Sequence, residues 1–373
     1  MTRPFRSRRR WWRRLLRVVL ALVAVCALGA ICFLVGASRA QPDFQPINDA
    51  RTAEHEAEID RTEHYRRPEE ATYLSYPEWY LVSNPQEYAQ FIRHHRPSGF
   101  PYGRSIGQFW SSYAQVYAIA RRYPFNAGEH LMLAVIGTSS SIEWIVKGTY
   151  ENTIGRLFEL RDGEQTAEDI YAADVARDYG NFIPTQPWFE FPFAQKLTGL
   201  WTTTGFFGNH FPRKCERKFF LGLEYGVKTV YGGLIGLASH SVYGVADTQV
   251  YAMVTHPPAH LTSPDVKVVK LLPDGTAIIT VPHYQGFTDT VPVLARDGVD
   301  FIEVAGNDEI LMTVIAPANW NYDLSAGKPL FTMQLLSNPE FKRVAVQTPI
   351  RSLSAMLREL DSKKLRVEHL FDY

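Results

Sequence analysis

The chain has 373 residues, with 39 Lys and Arg against 39 Asp and Glu, and hydrophobic residues make up 46% of it. This length predicts about two domains, the composition excludes a disordered or collagen-like chain, and three cysteines exclude a disulfide-rich scaffold. The charge is uneven, because residues 1–40 hold nine arginines and no acid, which leaves 30 basic against 39 acidic residues in the rest. An acidic body argues against nucleic acid as a partner.

An uncharged run of 20 residues follows the arginines, from Val18 to Ala37. At 1.5 Å per residue it is about 30 Å long, which matches the hydrocarbon core of a bilayer. Eight of the nine arginines precede the run, so the positive-inside rule predicts a cytoplasmic N-terminus and an exported remainder. The sequence therefore predicts a single-pass protein of the inner (cytoplasmic) membrane, with the lipid bilayer as a partner and the bulk of the chain on the periplasmic side.

The sequence leaves open whether this segment is retained. Ser38-Arg39-Ala40 has the form of a signal-peptidase site, and Ser7-Arg8-Arg9-Arg10-Trp11-Trp12 resembles a twin-arginine export signal. The run is longer than the roughly 7–15 apolar residues of a typical signal peptide, which favours an uncleaved anchor. We interpret residues 1–40 as a basic tail with a transmembrane helix and residues 41–70 as a polar tether.

Residues 71–260 are rich in aromatic residues and predict a mostly α-helical domain. Asn84-Pro85-Gln86-Glu87 predicts a helix that begins with Asn84 as its N-cap. Arg104–Arg122 and Glu129–Leu160 carry apolar residues at helical spacing. Thr166 and Asp169 predict a capping box at the start of a further helix.

Two segments of this domain raise the alternative of further membrane spans. Residues 229–246 carry no charge, and residues 131–146 are largely apolar. Glu143 lies within the second segment and His240 within the first, and such groups are costly in a bilayer. Two close-packed helices account for the same composition, so a single span is favoured.

The sequence pattern changes from mostly helical to β-rich after residue 260. Residues 261–373 predict a ferredoxin-like α+β domain, in which strands and two helices alternate as in a split β-α-β unit. This pattern implies no function. The predicted helices are Thr288–Arg296 and Pro349–Lys363, and Leu365–Phe371 is a final strand. The predicted hairpins are Val266–Leu272 with Thr276–Val281, Val299–Ala305 with Glu309–Ala316, and Pro329–Leu336 with Phe341–Gln347.

Familiar catalytic and cofactor signatures are missing from the sequence. It contains no glycine-rich phosphate loop and no HExxH, CxxC or GxSxG motif, so we expect no cofactor. His256 and His260 lie in a proline-containing loop and are weak candidates for metal ligands. Because a third ligand is not evident, we interpret them as linker residues and expect no metal.

A polar cluster on two helices is the best candidate for acid–base chemistry. Glu143, Lys147 and Glu151 follow one another at intervals of four residues, and Glu224 lies on another helix with Lys228 four residues later. Acids and lysines that face each other between helices form a buried ion-pair network. Such a network shifts pKa values, whether its role is catalytic or structural, and we favour the structural interpretation.

Three strings of residues carry a resemblance: Tyr76-Pro77-Glu78-Trp79-Tyr80, Ser105-Ile106-Gly107-Gln108-Phe109-Trp110 and Tyr150-Glu151-Asn152-Thr153-Ile154-Gly155-Arg156. With these, residues 71–250 resemble bacterial membrane-anchored proteins to which no activity is assigned. The resemblance therefore implies no reaction and no ligand.

These observations predict a membrane-anchored cell-envelope protein that acts as a non-enzymatic binding or scaffold module for an envelope protein partner. Two alternatives stay open. One is an enzyme with an acid–base site among Glu143, Lys147, Glu151 and Glu224. The other is a multi-span transporter accessory.

Overall fold

A computed structural model describes residues 51–242, 248–255, 257 and 265–373, without the side chains of Asp162 and residues 237–242. Its helical part confirms that the aromatic-rich region that begins at residue 71 is mostly α-helical. The helices are α1 (Ala53–Arg61), α2 (Ala71–His94), α3 (Tyr102–Ala120), α4 (Ala127–Tyr150), α5 (Arg156–Asp162), α6 (Ala167–Phe182), α7 (Phe193–Thr203), α8 (Phe211–Val242), α9 (Gln285–Arg296) and α10 (Ile350–Ser362).

The strands form two four-stranded antiparallel sheets in the described residues, ordered β2-β3-β1-β4 and β6-β7-β5-β8. Each sheet comes from a β-β-β-α-β segment, and the two segments connect their strands in the same order. The predicted α+β class is therefore confirmed. The prediction of one ferredoxin-like sheet is wrong, because the strands form two sheets. The strands are β1 (Gln249–Thr255), β2 (Lys267–Leu271), β3 (Ala277–Pro282), β4 (Asp300–Val304), β5 (Glu309–Pro317), β6 (Lys328–Gln334), β7 (Phe341–Pro349) and β8 (Arg366–Phe371).

The main core lies between the two sheets, where α9 and α10 pack against each other. Helix α9 contacts β3 and β8, and α10 contacts β4 and β7, so each helix covers both sheets. Side chains alternate along each strand: Ile279 enters this core, while Ile278 points to the outer face, which α1 covers with Ile59. The outer face of the second sheet is covered by Tyr73 and Tyr76 of α2.

Residues 51–70, predicted as a tether, are packed on the first sheet and hold the turn between the sheets. The guanidinium of Arg51 donates to the carbonyl of Gly306 at 2.6 Å, and the backbone N–H of Arg67 donates to the carbonyl of Ala305 at 3.0 Å. Ala305 and Gly306 have φ of 55° and 78°, and this left-handed turn directs β5 into the second sheet. The predicted hairpin of Val299–Ala305 with Glu309–Ala316 is therefore wrong.

The predicted helix start at Asn84 is also wrong, because α2 runs through it from Ala71 to His94 with Pro77 and Pro85 inside. The side-chain amide of Asn84 is buried and donates to the hydroxyl of Ser105 on α3 instead of capping a helix. The predicted capping box of Thr166 and Asp169 is confirmed at the start of α6. The predicted hairpins β2–β3 and β6–β7 are confirmed as well.

Within the described ranges, no helix combines the length and the apolar composition needed to cross a membrane. This finding covers residues 131–146 and the part of 229–246 that the structure describes. The predicted anchor, Val18–Ala37, lies outside the described residues.

Glu303 makes the stability of the first sheet depend on pH. It is fully buried beside the turn, where it accepts hydrogen bonds from the hydroxyl of Tyr65 and the N–H of Gly306. Burial raises the pKa of Glu303 to about 7. Since a raised carboxyl pKa favours the protonated folded state, its contribution is complete below the unfolded pKa of 4.5 and is lost as the pH rises through 7.

We expect Glu303→Gln to remove this dependence, because the amide stays neutral, its oxygen can accept the N–H of Gly306 and its –NH2 can donate to the hydroxyl oxygen of Tyr65. The free energy of unfolding of the natural chain, relative to that of the variant, should fall by about 3 kcal/mol between pH 4.5 and pH 7. Chemical denaturation of both chains at a series of pH values measures the difference. Parallel curves for the two chains would contradict the assignment.

Candidate functional site

Ion pairs join the predicted polar residues of α4 and α8. The ammonium of Lys147 lies 2.9 Å and 3.2 Å from the two carboxylate oxygens of Glu224. The ammonium of Lys228 lies 2.7 Å from Glu143 and 3.4 Å from Glu224. The two helices are thus antiparallel neighbours, and Glu224 sits between two lysines.

Glu151, the fourth predicted residue, lies one turn farther along and pairs with a different partner. It is fully buried and lies 2.8 Å from the guanidinium of Arg217, which also contacts Asp169 of α6 at 3.1 Å. Arg213 lies 2.9 Å from both Asp169 and Glu216. These contacts tie α4, α6 and α8 together through charges that are almost completely removed from solvent.

The local sequence makes room for this network. After Tyr150 the helix continues through a single π turn, Glu151–Gly155, into α5. A Cβ atom on Gly155 would lie 2.5 Å from a carboxylate oxygen of Glu151, so only glycine leaves space for that carboxylate. Tyr150 donates a 2.6 Å hydrogen bond to Glu216, and its ring stacks on Phe220 with centroids 3.8 Å apart.

The electrostatics of the ion pairs between α4 and α8 hold Glu224 and Lys228 in their charged forms. Burial alone would raise the pKa of Glu224, but Lys147 and Lys228 outweigh it and lower that pKa to about 2. Burial would lower the pKa of Lys228, whereas Glu143 and Glu224 raise it. A general acid or base works best with a pKa near the operating pH, so this arrangement suits a structural role better than proton transfer.

The predicted carboxylates do not line the apolar groove that lies nearby. This groove, of about 450 Å³, runs between α7 and α8. The ammonium of Lys218 donates to the carbonyls of Leu200 and Thr204 at 3.1 Å and 2.9 Å and lies 3.3 Å from Glu168, so it is already partnered. The residues that line the groove include Trp201, Phe206, Cys215, Lys218, Phe219 and Leu223.

The weak metal candidates His256 and His260 lie outside the described residues. Among the residues that are described, no group of three or more His, Cys, Asp and Glu is placed to hold a metal ion.

Sequence reasoning missed a buried His–Asp pair at the end of the first sheet. His283 Nδ1 contacts the carboxylate of Asp372, which also accepts the backbone N–H of Tyr284 at 2.9 Å. The other ring nitrogen faces the guanidinium of Arg67 at 3.0 Å. Because a guanidinium only donates, this nitrogen accepts, and the proton lies on Nδ1. Burial raises the pKa of Asp372.

No signal in the sequence could have found this pair, since 89 positions separate its members and no motif includes either. The contacts of this pair join the first sheet to the C-terminal segment. Arg67 also donates to the carbonyl of Tyr373 at 2.9 Å and to that of Gln249 at 3.2 Å.

Comparisons with protein-family models, with curated proteins and with solved structures find no match to this chain. The contacts described above are therefore the basis for a functional proposal.

The buried network yields a prediction about stability. Arg217→Met removes the cation between Glu151 and Asp169 and leaves both carboxylates buried without it. We expect the free energy of unfolding to fall by about 3–5 kcal/mol, measured by chemical denaturation of the full chain in detergent.

Arg177→Met is the matched control, because Arg177 is 56% exposed and pairs with Asp174 on the surface of α6. This variant should lose less than about 1 kcal/mol. If the two variants lost equal amounts of unfolding free energy, the buried arginine would matter no more to stability than the exposed one.

Proposed function

We propose that the protein is a membrane-anchored cell-envelope protein that acts as a non-enzymatic binding or scaffold module. Val18–Ala37 is the transmembrane helix that holds it in the inner membrane, and the bulk of the chain lies on the periplasmic side. The uncharged run and the arginines before it support this topology.

The observation that carries the binding role is the edge strand β2. All five of its residues are exposed, and in the described part of the chain it pairs with β3 on one side only. Val269 and Leu271 are 50% and 65% exposed. An exposed edge with apolar side chains is a template onto which an extended segment of another protein can add as a strand.

The electrostatics of the ion pairs between α4 and α8 support a scaffold function over an enzymatic one. An acid–base mechanism needs a carboxyl group or lysine that changes its protonation near neutral pH. Glu224 has its pKa lowered to about 2, and Lys147, Lys228 and Glu143 are engaged in ion pairs with one another and with it. We therefore assign these residues to the support of the helical part.

The proposed topology is tested with reporters fused after Tyr373 of the full chain. Alkaline phosphatase, which becomes active only after export, should be active there, and green fluorescent protein should stay dark. Replacing the eight arginines before Val18 with glutamine should lower the phosphatase signal, because the positive-inside bias is lost. An inactive phosphatase fusion together with a fluorescent green fluorescent protein fusion would place the body of the protein in the cytosol and contradict the proposal.

The binding role is tested by substitution on β2. In the full chain, Val269→Asp together with Leu271→Asp should reduce recovery of a cross-linked envelope protein by at least about tenfold, or 1.4 kcal/mol. Thr332→Asp, at an exposed position of the other sheet's edge strand β6, is the matched control and should leave recovery unchanged. Equal recovery with all three chains would exclude β2 as the binding edge.

A further inference from the structure

Exposed large hydrophobic side chains are concentrated on the helical part of the described chain. All but five of them lie between Trp110 and Leu234. Phe207 is 80% exposed and Leu160 is 76% exposed. Water-soluble monomers rarely expose such an extended apolar surface, so something other than water is expected to cover it. The five elsewhere are Val268, Val269, Leu271, Tyr284 and Phe341.

Much of this surface consists of two stripes of apolar side chains, one on α4 and one on α8. Residues three, four or seven positions apart share one face of a helix. The α4 stripe runs from Leu131 to Val146, and the α8 stripe runs from Phe219 to Leu234, each over about 22 Å at 1.5 Å per residue. Their exposed members are Leu131, Val135, Ile142 and Val146 on α4, and Phe219, Leu223, Val227, Val230 and Leu234 on α8.

The ion pairs between the helices place the two stripes side by side. Lys147 lies opposite Glu224, and Glu143 lies opposite Lys228. In this antiparallel register, Val146 lies near the level of Leu223. The stripes therefore form one apolar face, which we call the α4–α8 face.

The helical part holds buried cations beside its exposed apolar surface. Beside the α4–α8 face, the interior holds Arg213, Arg217 and Lys218, which are among the largest fully buried side chains. In water, apolar side chains are normally inside and Lys and Arg outside. In a bilayer, ionisable residues instead face the interior of the protein and pair with one another. Buried, paired cations together with an exposed apolar face thus point to lipid as the medium.

Aromatic residues cluster where α7 and α8 meet, at one end of the face. Trp201 stacks on Phe206, and Phe207 stacks on Phe211 with centroids 5.9 Å apart. All four rings are exposed, and Lys214 lies close to them, donating to the carbonyl of Phe207 at 3.3 Å. Aromatic rings beside a basic residue are typical of the boundary between lipid and water.

The predicted anchor would keep the described residues within reach of the membrane. Residues 38–50 join the predicted anchor to Arg51 and reach at most about 45 Å at 3.3–3.6 Å per residue. A single helix about 10 Å wide, as predicted for the anchor, is too narrow to cover two adjacent helices and the aromatic end together.

We infer that the α4–α8 face lies in the hydrocarbon of the bilayer, with the aromatic cluster at its boundary. The helical part is then held by lipid along its own surface and not only through its N-terminal anchor. This inference rests on the proposed function, because the proposed anchor is what places a membrane next to the helical part. The face meets lipid with one side of each helix, while the other side of each helix contacts protein.

The test is lipid photolabelling of the full chain in phosphatidylcholine vesicles that contain phosphatidylcholine with a diazirine in its acyl chain. After irradiation, mass spectrometry of peptides locates the adducts. We expect adducts on the segments 131–146 and 219–234 at about ten times the yield on Val268–Leu271, because the reagent is confined to the hydrocarbon core. The β2 residues are the matched control, since they are apolar and exposed as well.

The outcomes separate this inference from the proposed anchor. Adducts on 18–37 alone would overturn the inference and leave the anchor standing. Adducts on the α4–α8 face without any on 18–37 would support the inference and overturn the anchor. If Leu223→Cys gives disulfide-linked dimers and the face takes up no lipid label, a second copy of the chain covers the face and the inference is wrong.

Discussion

The helical part depends on one constraint, which is that charges removed from water must be paired. Arg217 lies between Glu151 and Asp169, and Arg213 lies between Asp169 and Glu216. Removal of one partner from such a group costs several kcal/mol, whereas the intact group is close to neutral in energy. The network therefore adds little net stability, but it fixes which helices are neighbours and in which register.

This constraint also limits what the site can do. Glu224, a carboxylate between two ammonium groups, stays ionised, and Lys228 beside it stays protonated. The proposed interactions use exposed surfaces instead, namely the edge of β2 and the α4–α8 face.

Local patterns in the sequence predicted those features that depend on a few neighbouring residues. Helical spacing identified Glu143 and Lys147 as one polar face, and the Thr166 capping box placed the start of α6. The two-sheet arrangement was missed because it depends on Arg51 and Arg67, which hold a turn about 240 residues later. Asn84 was misread because its side chain bonds to Ser105 across two helices, a contact that spacing cannot reveal.

The two β-β-β-α-β segments have the same strand order, so the two sheets form an internal structural repeat. The two sheets share the helices of this repeat, because α10 covers β4 of the first segment and α9 covers β8 of the second. In addition, β1 occupies the middle of its sheet, between β3 and β4. A chain shortened to residues 261–373 would lack that middle strand, so the two sheets form one structural block that begins no later than Gln249.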